Sequence, residues 1–450
     1  MYYSSFLRRF LGAFSVLLLV CSVHSYGQTI VTVGKQPLAI IPVGNTIHVF
    51  CNGVDNNFNS IYEPDSGDVA ASWWVIDGVT RTVLKHRDFT DRYLPFPFRA
   101  VVTDMYTYIP NGNHLSRFLT STQDIDKKEL ITLPDSLGQI VAVSKPNSNP
   151  IFTLSSRKNY DKPGYVLGVD IENAEILGAF QVLINPQQTI DFVTSDKNSF
   201  LAVLNEGVFN GNNSALQVFG KNFEVTTFPL GDGGNHIFYQ GDGHDSLYTT
   251  VNGSHKVVIV DMIKKEIVKT IPIGTTGFNG PRESAVIGNK LFVTTYNSDV
   301  REFDLETGAL VATLDSKGKP EGLTVIDGKL WVANAFVKGG YAPDSTVAVF
   351  DSPHAVEEYF TENKNIMYPN PATVSTMIST TFNGQANTPV QVEVYSLVGT
   401  KLFSTIAFSG DTGEVKYLLP IQENNLTSGT YFVRLSAGHR VQTSRLTVVE

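Results

Sequence analysis

The side chains best suited by type to do chemistry are His236 and His244, eight positions apart in HIFYQGDGH, with Asp242 and Asp245 beside them. Imidazole and carboxylate together are the parts of acid–base hydrolysis or of a metal site. The same letters also spell a surface turn of Gly, Asp and His, which asks less of the chain, and no histidine pair has a recognised metal-ligand spacing. Two stretches are rich in side-chain oxygens, DNNFNSIYEPDSGD (55–68) and NEGVFNGNNS (205–214). Calcium is the ion such oxygens suit, yet neither stretch follows the EF-hand spacing. Cys51, in HVFCNG, reads as a buried apolar side chain rather than a nucleophile. NGVD and GDGGN are turns that lack the long glycine run and Lys-Ser/Thr of a phosphate loop. No catalytic residue and no resident cofactor or metal is expected, with Ca2+ at the oxygen-rich loops the one ion left open.

Whatever chemistry exists must be held by strands. Across 30–360 helical periodicity is absent, and short alternating runs are separated by Gly, Asn and Asp turns. The segment GPRESAVIGNKLFVTTYNSDVREFDLETGALVATL (280–314) is echoed by GKPEGLTVIDGKLWVANAFVKGGYAPDSTVAVFDSPHAVEEYF (318–360). Both run Pro, strand, Gly turn, a Leu-aromatic-Val strand, a strand ending Phe-Asp, then a last strand. Units begin near Pro37, Pro97, Gln139, Asp191, Asn235, Pro281 and Pro320. A four-stranded sheet cannot bury both faces alone, and stacking copies in a ring solves that. The expected fold is all-β, a seven-bladed β-propeller over 28–361, with six or eight blades as alternatives. For ring closure two candidates stand, QTIVTVG (28–34) and HAVEEYF (354–360).

This register brings Arg99, His236, Arg282, Glu283 and Glu321 to similar places on successive innermost strands. Such a ring at the tunnel mouth suits a small anion, a sugar or a peptide end, or else forms internal salt bridges. A second candidate is an interaction patch of Tyr62, Trp73, Trp74, Trp331 and Tyr341, where the long hairpins of the first and last units meet in a closed ring. Trp73 and Trp74 are adjacent and must face opposite ways as strand residues.

The cycle P-x-x…V-x-G-x-x-LFV-x-x-x…V-x-x-x-D-x-x-T-G-x-x-V, with LWVANA at 330–335, resembles the YncE-like (YVTN-type) seven-bladed propellers, best over 275–352. That resemblance implies the fold. It implies no reaction, because many relatives have no established catalysis.

Beyond 361 the repeat stops at KNIMYPNPATVS (364–375), and about 80 residues of alternating strands follow, enough for a small Ig-like sandwich over 362–450. Val390, Val392 and Val394 should share one face, as should Tyr431, Val433 and Leu435. The prolines impose an extended approach, and Gly399 and Gly429 serve turns. YPNPA (Tyr368, Pro369, Asn370, Pro371), VEVYSLVG ending at Gly399, LTSGTYFVRLSAG with Gly429 and Tyr431, and the basic Arg445 before the last strand come in order. Together they resemble the type A C-terminal sorting domain of the type IX secretion system of Bacteroidota and related bacteria. Arg445 stands where lysine is commoner, keeping the charge. The resemblance implies the secretion machinery as partner, and release or attachment at the cell surface.

The N-terminus agrees with export. Arg8 and Arg9 precede the apolar run Phe10–Val23, and small residues follow, which is the layout of a signal peptide over 1–27. Cys21 raises a lipoprotein alternative that the preceding Val20 fits poorly. Loss of the leader's two arginines takes the formal charge from −9 to −11. Such acidity argues against binding nucleic acid, and no second apolar run reaches membrane-spanning length. Only Cys51 then remains, so packing must hold the fold rather than disulfides. The expected product is an extracellular or outer-membrane-surface scaffold that binds a protein or polysaccharide. The alternatives are a secreted propeller enzyme (lactonase, lyase or hydrolase) with a site at the tunnel, and a structural subunit of an envelope assembly.

Overall fold

The computed structural model describes residues 27–59, 61–90, 99–144, 151–222, 224–241, 243–351, 366–382, 386–396, 401–437 and 440–449. The chain divides into two compact units, Met1–Pro353 and His354–Glu450.

The first unit holds seven four-stranded antiparallel sheets, a seven-bladed propeller. First strands are Pro37–Val43, Val101–Val102, Gln139–Ser144, Pro186–Val193, Gly234–Tyr239, Pro281–Ile287 and Gly318–Ile326, in blades one to seven. Local chemistry explains the hairpins. Asp327 and Gly328 have φ of 48° and 69°, the two left-handed residues of a tight hairpin turn. In blades one, three, five and six the third strand ends in an Asp whose carboxylate accepts the N–H of a turn residue three positions on: Asp77 from Thr80, Asp170 from Asn173, Asp261 from Lys264, Asp304 from Thr307. This is the mechanical meaning of the recurring Asp in the repeat.

Each blade is apolar on both faces, so the core lies between blades. The interface of blades four and five buries Leu204, Leu216, Leu247 and Val258, and that of six and seven buries Phe292, Val300, Leu330 and Val332. The interface of three and four is thinner, with Val166, Val182 and Val203 buried and Phe180, Leu201 and Phe219 half-buried around them.

The ring closes through its first strand. Gly27–Thr32 pairs antiparallel with Pro343–Asp351, from Gly27 opposite Asp351 to Thr32 opposite Thr346, and becomes the outer strand of blade seven. The rival segment 354–360 lies outside the described residues. Arg81, in blade one, binds both Thr29 and Asp351. Val31 and Val33 pack with Trp331 and Val349 of blade seven and with Val49 and Ile76 of blade one. Inside, blades seven and one approach so closely that a Cβ on Gly322 would lie 2.4 Å from the Leu38 carbonyl oxygen.

The second unit is a sandwich of a three-stranded sheet (366–368, 375–381, 414–420) and a four-stranded sheet (389–396, 401–408, 429–437, 440–448). Val390, Val392, Val394, Tyr431, Val433 and Leu435 all point into its core, as their alternation required. Both peptide bonds before Pro369 and Pro371 are cis, and the regular extended approach ends at Tyr368. Asn370 then acts as a surrogate strand: its Nδ2 donates to the Arg445 carbonyl at 2.8 Å, and its Oδ1 accepts the Thr447 N–H at 2.9 Å. Tyr431 donates to the Thr427 carbonyl. Gly399 lies outside the described residues.

Two outcomes follow. Val31→Asp puts a charge into the seam between blades seven and one, where burying an unpaired carboxylate costs several kcal/mol. Its denaturation midpoint in guanidinium should fall steeply, whereas a peripheral strand would tolerate it. Asn370→Ala removes two hydrogen bonds and leaves backbone groups bare, about 1–3 kcal/mol, so amide exchange at Thr447 should accelerate while the propeller's amides keep their protection.

Candidate functional site

The antiparallel order sends two kinds of loop to one face of the ring: those joining second to third strands, and those joining one blade to the next. The polar residues that begin the first strands open toward the same face. The five tunnel residues meet there as two linked groups.

Arg99 belongs to blade two, yet its guanidinium reaches Glu283 of blade six (Nη1 to Oε1, 3.2 Å) and donates to the Asn235 carbonyl of blade five (3.0 Å). Neither is a neighbouring blade, so Arg99 spans the central channel. His236 Nε2 lies 3.8 Å from the same Glu283 oxygen, and the other Glu283 oxygen accepts the Leu323 N–H of blade seven at 3.0 Å. Alongside, Arg282 is bidentate on Glu321, with Nε and Nη2 at 3.0 and 2.7 Å from Oε1. It lies over the Tyr296 ring at 4.5 Å, and the Tyr296 hydroxyl donates to Glu321.

Burial decides the electrostatics. It pushes the Glu283 carboxyl up to about 7, against the downward pull of Arg99 and the Leu323 N–H. Burial, and then Arg99, hold His236 well below its usual value, so its imidazole is neutral at neutral pH; its Nδ1 is buried without a hydrogen-bond partner. For Arg282 burial acts downward, and the Glu321 carboxylate more than offsets it, raising its hold on the proton. The strands behind are stitched by a repeated device: Thr250 Oγ1 donates to the Arg282 carbonyl at 2.8 Å, and Thr294 Oγ1 to that of Glu321 at 2.9 Å. The arrangement is an ion-paired plug across the channel.

Further polar groups open on this face. Asn185 Nδ2 donates to Glu206 at 2.7 Å, and Gln187 also binds Glu206, while Arg157 donates to Asn185 and lies 4.2 Å over the Tyr160 ring. Sequence spacing missed Tyr296, Arg157, Asn185 and Glu206 because they sit at second-strand ends and in loops, whereas Gln187 lies on the first strand of blade four, ahead of the unit start near Asp191 that the repeat suggested.

The expected aromatic patch divides. Trp73 is fully buried, stacked on Phe50 at 5.5 Å with its Nε1 donating to His48 at 3.0 Å. Trp331 is also fully buried in the seam of blades seven and one. Both are core residues, a correction that follows from their inward position on second and third strands. Trp74 faces the other way, half-buried and stacked on His86 at 4.3 Å. Tyr62 packs against the cluster of Phe50 and Trp73. Tyr341 alone of the five is widely exposed, 57 %, with Lys319 Nζ 3.5 Å from its ring centroid.

The oxygen-rich loops are braced from within. Buried Asp68 accepts the N–H of Asn56 at 2.8 Å and that of Glu63 at 2.9 Å, and Asn213 accepts the Val208 N–H at 2.8 Å. Among the described residues no group of three His, Cys, Asp or Glu could hold a metal ion. His244 does not join His236: the Asp245 carboxylate beside it caps Ser195, whose N–H and hydroxyl both donate at 2.8 Å. Asp242 lies outside the described residues.

Glu283 carries a pH signature. Its folded-state value of about 7 stands above the ordinary 4.5, so between those values the folded chain holds a proton that the unfolded chain has lost. Stability therefore falls as pH rises through this window, by an amount on the order of 3 kcal/mol. Glu283→Gln should lack that term. Its melting temperature should gain on the wild type from pH 4.5 to 7.5, and a constant difference would show that Glu283 is ionised throughout.

Residues 366–449 match the family of secretion system C-terminal sorting domains. No curated protein is similar to the chain. Among the described residues no helix is long and apolar enough to cross a membrane. The tail is a sorting domain of the type IX secretion system, and it marks the chain as an exported protein of the cell surface or the medium.

Proposed function

We propose that the propeller is an exported binding scaffold that grips a surface protein or a polysaccharide with the loop face at the channel mouth. One observation carries this reading. Among the described propeller residues, every widely exposed aromatic lies on that face: Phe58 (90 %), Phe278 (74 %), Tyr160 (68 %), Phe209 (66 %) and Tyr341 (57 %). They come from loops of blades one, three, four and seven and from the link between blades five and six. Phe209 and Phe278 lie parallel, 11° apart with centroids at 6.2 Å. Exposed rings on one side of a molecule mark a recognition surface, since rings supply large contact area at little entropic cost.

The plug beneath them favours binding over turnover. Its carboxylates are engaged by arginines, a hydroxyl and a backbone N–H, so among the described residues the plug's acids are committed to internal partners rather than held free for a substrate. The likeness to YncE-like propellers adds a fold to this reading and no reaction.

The test is a binding comparison on the secreted protein. Wild type and the variant Phe58→Ser, Tyr160→Ser, Phe209→Ser, Phe278→Ser, Tyr341→Ser are run through gels containing the producing organism's surface polysaccharide and through cross-linked surface pull-downs. The variant should keep its melting temperature and lose at least tenfold in the binding that the wild type shows. Equal retention of both proteins, or release of a cleaved product from the polysaccharide, would sink the proposal.

A further inference from the structure

At the outer rim, two of the seams between blades are each closed by a lysine at the same position. In blade one Lys85, opposite Val75 on the paired strand, sends its Nζ to the carbonyls of Thr120, at 2.9 Å, and Ser121 in blade two. In blade five Lys269, opposite Ile259, does the same to Leu305 and Glu306 of blade six, at 2.8 and 2.6 Å. In both cases the acceptors lie two and three residues beyond a phenylalanine, Phe118 or Phe303, that faces back toward the lysine's blade. The alkyl stem covers the seam, and the ammonium caps a turn.

The lysine is not universal, since blade six has Ala312 at that position, and blade three goes further, with glycine on both strands. The position of Lys269 is held by Gly178, and the residue opposite, where Ile259 stands in blade five, is Gly168. Two side chains are missing from the same face of one hairpin. A cleft of about 640 Å³ opens there, lined by both glycines, Val166, Phe180, Leu201 and Phe219, which is the size of a ligand pocket. The phenylalanine of the receiving blade is kept as Phe219, and the turn carbonyls two and three residues beyond it belong to Lys221 and Asn222. Glu224 lies at that turn, accepting the Asn222 N–H at 2.9 Å and adding negative charge. A Cβ built on Gly178 would meet nothing within 4 Å.

We propose that this cleft receives a lysine side chain from a partner polypeptide, the stem lying over the glycine pair and the ammonium reaching the turn of blade four. The chain itself supplies that group at two other seams, and at this one the paired glycines leave its place open. The trough is apolar, and the turn that follows its lining residue Phe219 in sequence carries carbonyl oxygens, a pairing that suits an alkylammonium group, whose stem buries while its head hydrogen-bonds. The site is separate from the channel mouth and does not depend on the reading of that face.

The experiment compares two peptides on the full-length protein by heteronuclear NMR titration or calorimetry. One is acetyl-Leu-Lys-Leu-amide; the other has norleucine in place of lysine, keeping the stem and removing the ammonium. The lysine peptide should bind at least tenfold tighter. Gly178→Lys should fill the cleft from within, abolish binding and melt at or above the wild-type temperature. Gly178→Leu, which blocks the trough without supplying an ammonium, should abolish binding as well. Equal affinity for the two peptides, no binding of either, or undiminished binding by the Gly178 variants would overturn the proposal.

Discussion

The architecture rests on one constraint: a four-stranded blade is apolar on both faces and has no stable existence with either face wet. Each blade must therefore be a neighbour's core, and only a closed ring gives every blade two neighbours. Closure is achieved between residues more than 300 positions apart, with Gln28 opposite Phe350 and Arg81 fastening Thr29 to Asp351. A second closure acts at the centre, where Arg99 reaches from blade two to blades five and six. The rim is zipped by backbone pairing and the hub is tied by charge.

Much of this was legible in the sequence. The repeat of proline, glycine turn, Leu-aromatic-Val strand and terminal Asp reports directly on strand order, because each letter answers a local need: Asp327-Gly328 takes left-handed φ, and Asp261 and Asp304 bind their own turns. Strand alternation likewise placed Val390, Val392 and Val394 in the sandwich core. The ring of Arg99, His236, Arg282, Glu283 and Glu321 could be assembled from repeat register alone, since equivalent positions in successive blades converge on one axis.

What escaped depends on facing rather than on register. Trp73 and Trp331 were candidates for an interaction patch because long hairpin loops adjoin their strands, yet each sits on an inward face between blades. Phe58, Phe209 and Phe278, which are exposed, carry no pattern that separates them from core phenylalanines. Nor does sequence show that Arg99 crosses the channel; a side chain's reach depends on the ring's radius, which no repeat encodes. The pairing of Gly168 with Gly178 was equally hidden, because two glycines ten residues apart become one opening only when the hairpin register sets them opposite each other.

The first strand's place in the last blade has a consequence for the order of assembly. Bringing Gln28 to Phe350 closes a loop that encloses nearly the whole propeller, and contacts so distant in sequence form late. Until then the outer edge of Pro343–Asp351 offers bare N–H and C=O groups to any extended segment nearby. The strand Gly27–Thr32 thus works as a latch that shuts last, and the interval before it shuts is when this protein is most exposed to pairing with another copy of itself.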